Sequence, residues 1–153
     1  MYNEDYLLRM FEQIVDTAAH LVGFHALVEI AQLNRRGDHD DALAAIDRAW
    51  DDLLPGPRGL VRAVDIRMLA ALLREPAKLR LAVQLLGEEA RAHAGTGDAA
   101  RAADRYRRAM ELLLEARAID PDDQDFAVLR ELSGVVPRAA LAPRYRAMLP
   151  ANL

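Results

Sequence analysis

The chain has 153 residues, which is the size of one domain. Apolar residues make up 52% and charged residues 29%, enough for both a core and a solvated face, so disorder is excluded as the main state. The absence of cysteine excludes disulfides, thiolate zinc sites and a cysteine nucleophile, and a net charge of −4 argues against a dedicated duplex-DNA binder.

Aromatic residues are only 5%, which disfavours a β-sandwich or barrel. The stretch Met1 to Tyr6 lacks the positive and apolar regions of a secretory signal. The longest apolar run, Met68 to Leu73, falls short of the ~20 residues a membrane span needs. The expected compartment is therefore the cytoplasm, with no membrane association.

The whole chain reads as helix. Ala, Leu, Arg and Glu dominate, all good helix formers, and no alternating run argues for a strand. A first helix or helix pair is expected over 1–36. Leu7, Phe11, Ile14, Ala18, Leu21, His25 and Val28 trace its apolar seam, and Met10, Phe24 and Ala31 widen it. Gly23 is a point where this helix bends or divides. Gly37 and Asp38 then close one helix and open the next, as a left-handed C′ residue and an N-cap. The second helix is expected to Leu54, burying Ala42, Leu43, Ile46, Ala49, Trp50 and Leu53.

Pro55-Gly-Pro-Arg-Gly59 breaks the chain before a third helix, Leu60 to Arg74, which Glu75-Pro76 ends. A fourth helix spans Ala77 to Ala94, and Gly95-Thr96-Gly97-Asp98 turns into a fifth, reaching Ile119. The stripe of that helix is Ala102, Tyr106, Ala109, Leu113 and Ala116. Asp120-Pro-Asp-Asp123 stops it and caps a sixth helix to Leu132. One more helical piece lies within 137–149, starting at Pro143. The expectation is one all-α domain of six or seven helices, divided as 1–36, a core over 38–134 and a capping piece over 137–149.

Several residues invite chemical readings. His20, His25, His39 and His93 suggest metal, but His20 and His25 are five apart and diverge, so no converging ligand set is expected. Asp120, Asp122 and Glu131 stand at positions one, three and twelve of a calcium-loop pattern. Asp125 replaces its required glycine, and a proline-aspartate linker is the simpler account. Gly95-Thr96-Gly97 follows a helix, not a strand, and lacks the Lys-Ser/Thr of a phosphate loop; Asp98 would repel a phosphate. Arg101, Arg105, Arg107 and Arg108 form a basic strip, interleaved with Asp104 and Glu111, that reads as a solvated face or as an RNA-binding surface. The adjacent carboxylates Asp51-Asp52 and Glu88-Glu89 diverge on their helices and read as solvated. With Ser133 as the one serine, hydroxyl catalysis is not expected. No histidine follows a glutamate by three, as a di-iron bundle would need. The chain therefore reads as non-catalytic and without a cofactor.

Two segments repeat a spacing. Gly37 is followed at +5, +9 and +12 by Ala42, Ile46 and Ala49, and Gly97 by Ala102, Tyr106 and Ala109. Small residues at +5 and +12 let two helices lie close, and the bulky residue at +9 fills the space between them. This pattern resembles the second half of a tetratricopeptide (TPR) repeat. The first half departs from that pattern. Its bulky, Leu-Gly and Tyr places hold Ala26, Glu29-Ile30 and Leu33 in one copy, and Leu86, Glu89-Ala90 and His93 in the other. The glycines are sixty residues apart, not a multiple of thirty-four, and the match covers about fifty residues of the chain. The opening Glu4-Asp-Tyr6-Leu-Leu-Arg9-Met-Phe11-Glu12 also resembles the start of an uncharacterised bacterial family with a TPR-like body.

The resemblance implies a degenerate TPR-like fold, a right-handed stack of antiparallel helix pairs whose concave face takes a protein or peptide segment. Groove positions carried over from the repeat are Asn34 and Arg35 in the first pair, and Gln84 and Arg91 in the second. Arginine and amide groups there suit carboxylates or backbone groups. Self-association through the N-terminal helix, with Tyr2, Tyr6, Met10 and Phe11 projecting, is the alternative expectation.

Overall fold

The computed structural model describes residues 18–54 and 64–153, with side chains in the first segment from Gly23 onward. These residues form seven α-helices and one short 3₁₀ turn, and among them there is no strand. The helices are α1 (Ala18–Arg35), α2 (His39–Leu53), α3 (Ile66–Leu73), α4 (Pro76–Gly95), α5 (Ala99–Ile119), α6 (Asp125–Ser133) and α7 (Pro143–Met148). The 3₁₀ turn is Arg138–Ala140.

Two helical hairpins form the body, α1 with α2 and α4 with α5, and their turns are copies of each other. Gly37 and Gly97 both lie in the left-handed region, at φ +83° and +85°. In the first turn Asp38 N–H reaches Leu33 O at 2.9 Å and Gly37 N–H reaches Asn34 O at 3.1 Å. In the second, Asp98 N–H reaches His93 O at 2.9 Å and Gly97 N–H reaches Ala94 O at 3.1 Å. This is the paired-bond ending that glycine permits at low cost because it has no Cβ. The caps that follow differ. The Asp98 carboxylate accepts from Arg101 N–H at 3.1 Å, whereas Asp38 makes no side-chain cap bond.

The residues expected to nest the helices are interior. Ala42, Ile46, Ala49, Ala102, Tyr106 and Ala109 are all buried, as are Leu113 and Ala116. On α2 the buried set gains Ala45, while Leu43 and Leu53 pack only partly. The α4 helix is the centre of the molecule, packed against α1, α2 and α5, and every residue from Leu79 to Ala90 is buried. The α3, α6 and α7 helices each pack on α5.

Several expectations are corrected. The helix through Gly23 neither divides nor ends; a Cβ there would stand 2.6 Å from a Leu81 methyl, so this glycine serves the close approach of α1 to α4. The buried stripe of α1 is Leu27, Ile30 and Ala31, and His25 is exposed, so the expected seam is rotated. The third helix begins at Ile66, where Asp65 caps it by accepting Met68 N–H at 2.8 Å. The fourth begins at Pro76 itself, and the sixth only at Asp125, after a turn in which Asp122 accepts Gln124 N–H. The expected start at Leu60 and the stretch 1–17 lie outside the described residues.

Candidate interaction site

Of the four positions expected to meet a partner, Asn34 of α1 and Gln84 and Arg91 of α4 are drawn inward, and Arg35 is not. Glu88, expected in solvent, is the hub. It is 2% exposed and its carboxylate holds groups from two helices. Asn34 donates from Nδ2 to Glu88 Oε2 at 2.8 Å and to Glu88 O at 3.0 Å. Arg91, one turn along α4, donates to Glu88 Oε1 at 2.9 Å. A buried carboxylate is tolerated only when its lone pairs are met in this way.

Because both Asn34 donations go to Glu88, its Oδ1 faces His39 Nδ1, 3.0 Å away. That bond makes Nδ1 the protonated nitrogen of neutral His39 and turns Nε2 toward Gly95. The ring lies so close that a Cβ on Gly95 would come within 2.1 Å of Nε2. Asn34 and Arg91 are thus joined through one carboxylate, and the network extends to the α1–α2 turn and the end of α4. Arg91 also touches Tyr106 of α5, whose hydroxyl burial pushes above the ordinary phenol range against the opposing pull of Arg91.

The other two positions differ. Arg35 is exposed and donates from Nε to Ala31 O at 3.4 Å. Gln84 is 1% exposed, and neither atom of its amide has a hydrogen-bond partner. It lies one helical turn before Glu88, on the same stripe of α4 as Glu88 and Arg91.

Glu89 is also buried rather than solvated. It pairs with Arg105 of α5 at 3.1 Å and lies 3.8 Å from His93. This dismantles the basic strip expected on α5. Arg101 is exposed and lies 3.4 Å from Asp98, and Arg105 is committed to Glu89. Arg107 is paired with Asp104 and Glu111, and buried Arg108 donates to Val64 O at 3.1 Å. Burial lowers the Arg108 pKa and its neighbours Arg105 and Arg107 add to that, against the pull of Asp104. The Asp104 carboxyl is held below its usual range: burial pushes up, but the Arg107 hydrogen bond and charge outweigh it.

At the other end of α4, Arg80 makes a forked pair with Asp125 of α6, at 3.1 and 2.9 Å, and donates to Asp120 O at 2.6 Å. Asp125, the residue that breaks the calcium-loop pattern, is therefore a buried arginine partner. Among the described residues no three His, Asp or Glu side chains group as a metal set, and no helix is long and apolar enough to cross a membrane. Tyr2, Tyr6, Met10, Phe11 and the side chain of His20 lie outside the described residues.

No protein-family model matches this chain, and neither a curated protein nor a solved structure matches it.

Proposed function

We propose that this chain is a non-catalytic interaction module with a TPR-like stack of helix pairs, binding a protein or peptide segment in the cytoplasm. The observation that supports it most is the duplicated turn: two left-handed glycines, sixty residues apart, with the same pair of backbone bonds and buried small residues at the same offsets. The packing of α4 against both members of the preceding pair agrees with that stacking.

The proposed recognition surface is the α1–α4 edge at Arg35, Asn34 and Arg91, with Gln84 beneath. Arg35 places its guanidinium at the exposed surface. Arg91 is held by Glu88, so a partner carboxylate competes for it, and an acidic or C-terminal segment is the fitting ligand. The test is quantitative capture from the source cell by full-length chain, comparing the native protein with Arg35→Glu and Arg91→Gln. Because Arg35 is exposed, its reversal leaves the core untouched and has at most a small effect on the fold. Loss of the same captured protein in both variants, with unchanged melting of Arg35→Glu, supports the reading. An identical captured set in all three refutes it.

A further inference from the structure

Residues 136–149 lie along α5 without a backbone tie to it. Val136 N–H is held by Leu132 O at 2.8 Å. Beyond it, the backbone bonds of the stretch are internal: Ala140 to Pro137, Leu141 to Arg138, Tyr145 and Arg146 to Ala142, Leu149 to Arg146. The two helical pieces have three and six residues, far too short to persist alone. What holds the segment is a set of side chains.

Two buried glutamates one turn apart on α5 supply the polar part. Glu111 accepts Ala142 N–H at 3.4 Å. Glu115 Oε1 accepts Arg144 Nε at 3.3 Å, Arg144 Nη2 at 3.0 Å and the Tyr145 hydroxyl at 2.9 Å. The Arg144 guanidinium also lies 5.7 Å from the Tyr145 ring centre. The apolar part is Leu141 and Tyr145, both buried in the core cluster. The segment carries Arg138, Arg144 and Arg146 and no acidic residue, so its charge complements the two carboxylates beneath it.

We propose that this groove on α5, floored by Glu111 and Glu115, is a docking surface for a peptide with an apolar residue followed three and four positions later by arginine and tyrosine, and that residues 136–149 occupy it as a displaceable strap. Removal breaks no backbone ladder. Glu111 keeps Arg107 when the strap lifts, and Glu115 returns to water, so neither carboxylate is stranded. Selectivity follows from the same charges, since a segment without arginine would bury Glu115 unpaired. The tethered strap acts at an effective concentration on the order of millimolar, so an incoming segment of equal quality competes only in that range. This surface is separate from the α1–α4 edge and does not depend on it.

The test uses full-length chain with isotope-labelled leucine and alanine, titrated with a synthetic peptide of residues 137–149. The native peptide should move the Leu141 and Ala142 signals to free-segment positions at roughly millimolar concentration, whereas a peptide with Arg144→Ala should not. A chain carrying Arg144→Ala keeps the groove but weakens its own strap, so the native peptide should bind it about tenfold more tightly or better. In the native protein the Ala142 amide should exchange with solvent faster than the interior amides of α5. Equal peptide affinity for native and Arg144→Ala chains, or Ala142 exchange only at the rate of α5, overturns the proposal.

Discussion

Breaking the Arg80–Asp125 pair should unseat α6 from α4, and the structure sets the size of the effect. Both side chains are almost wholly buried, and the fork is complete. Removing one partner of such a pair leaves the other charge in the interior, at a cost of about 3–5 kcal/mol. Each member here has a second contact: Arg117 lies 3.6 Å from Asp125, and Arg80 still reaches Asp120. The lower end of that range, about 3 kcal/mol, is therefore expected for Asp125→Leu and for Arg80→Met. For a domain of this length that lowers the melting temperature by roughly 6–12 °C. The double variant Arg80→Met, Asp125→Leu removes both charges together, so its stability should fall within about 1 kcal/mol of the native protein. Urea unfolding followed by circular dichroism gives all four corners of the cycle. Two single variants that each cost under about 1 kcal/mol, with additive effects in the double, would refute the buried-pair reasoning.

Gln84→Met should raise stability by about 1–3 kcal/mol in the same assay, because an unpartnered buried amide is replaced by an apolar chain of similar size; destabilisation would mean that the amide has a structural partner. Gly95→Ala should destabilise the native protein, since the new methyl displaces the His39 ring from Asn34, but in a His39→Ala background it should stabilise by up to about 1 kcal/mol through helix propensity; the same sign in both backgrounds would contradict the ring contact. Burial and the Glu115 hydrogen bond hold the Tyr145 hydroxyl far above the ordinary phenol range. Its neutral-form stabilisation is thus complete below pH ~10 and fades as pH rises from there toward the folded value. Absorbance titration of the four tyrosines should lose its highest-pH component in Tyr145→Phe, and loss of a component near pH 10 would exclude that environment.

The helix count, the two glycine turns and the nesting stripes of α2 and α5 were legible in the sequence because local geometry dictates them. Glycine at a left-handed position and small residues at fixed offsets need no knowledge of distant neighbours. The candidate site was legible only in part, for the opposite reason. Periodicity places Glu88, Glu89 and Arg91 on the polar side of α4, but it does not say that α1 and α5 cover that side. Buried polar pairs such as Glu88 with Asn34, Glu89 with Arg105 and Arg80 with Asp125 join residues 54, 16 and 45 positions apart. One signal was present: Gly23 within a helix of otherwise good formers is explained by the close approach of a neighbour, and Leu81 is that neighbour. Asp125, likewise, made little sense as the defect in a calcium loop and makes sense as the first-turn partner of Arg80.

The central claim is that α1 and α4 lie against each other, with the α4 polar stripe closed into a network rather than open to water. A nuclear Overhauser spectrum of the full-length chain tests it most directly. A strong cross-peak between a Leu81 methyl and the Gly23 α protons is the predicted result, because even a methyl added at Gly23 would collide with that side chain. If Leu81 instead shows no contact with any α1 proton, the two helices are apart and the account of the site fails.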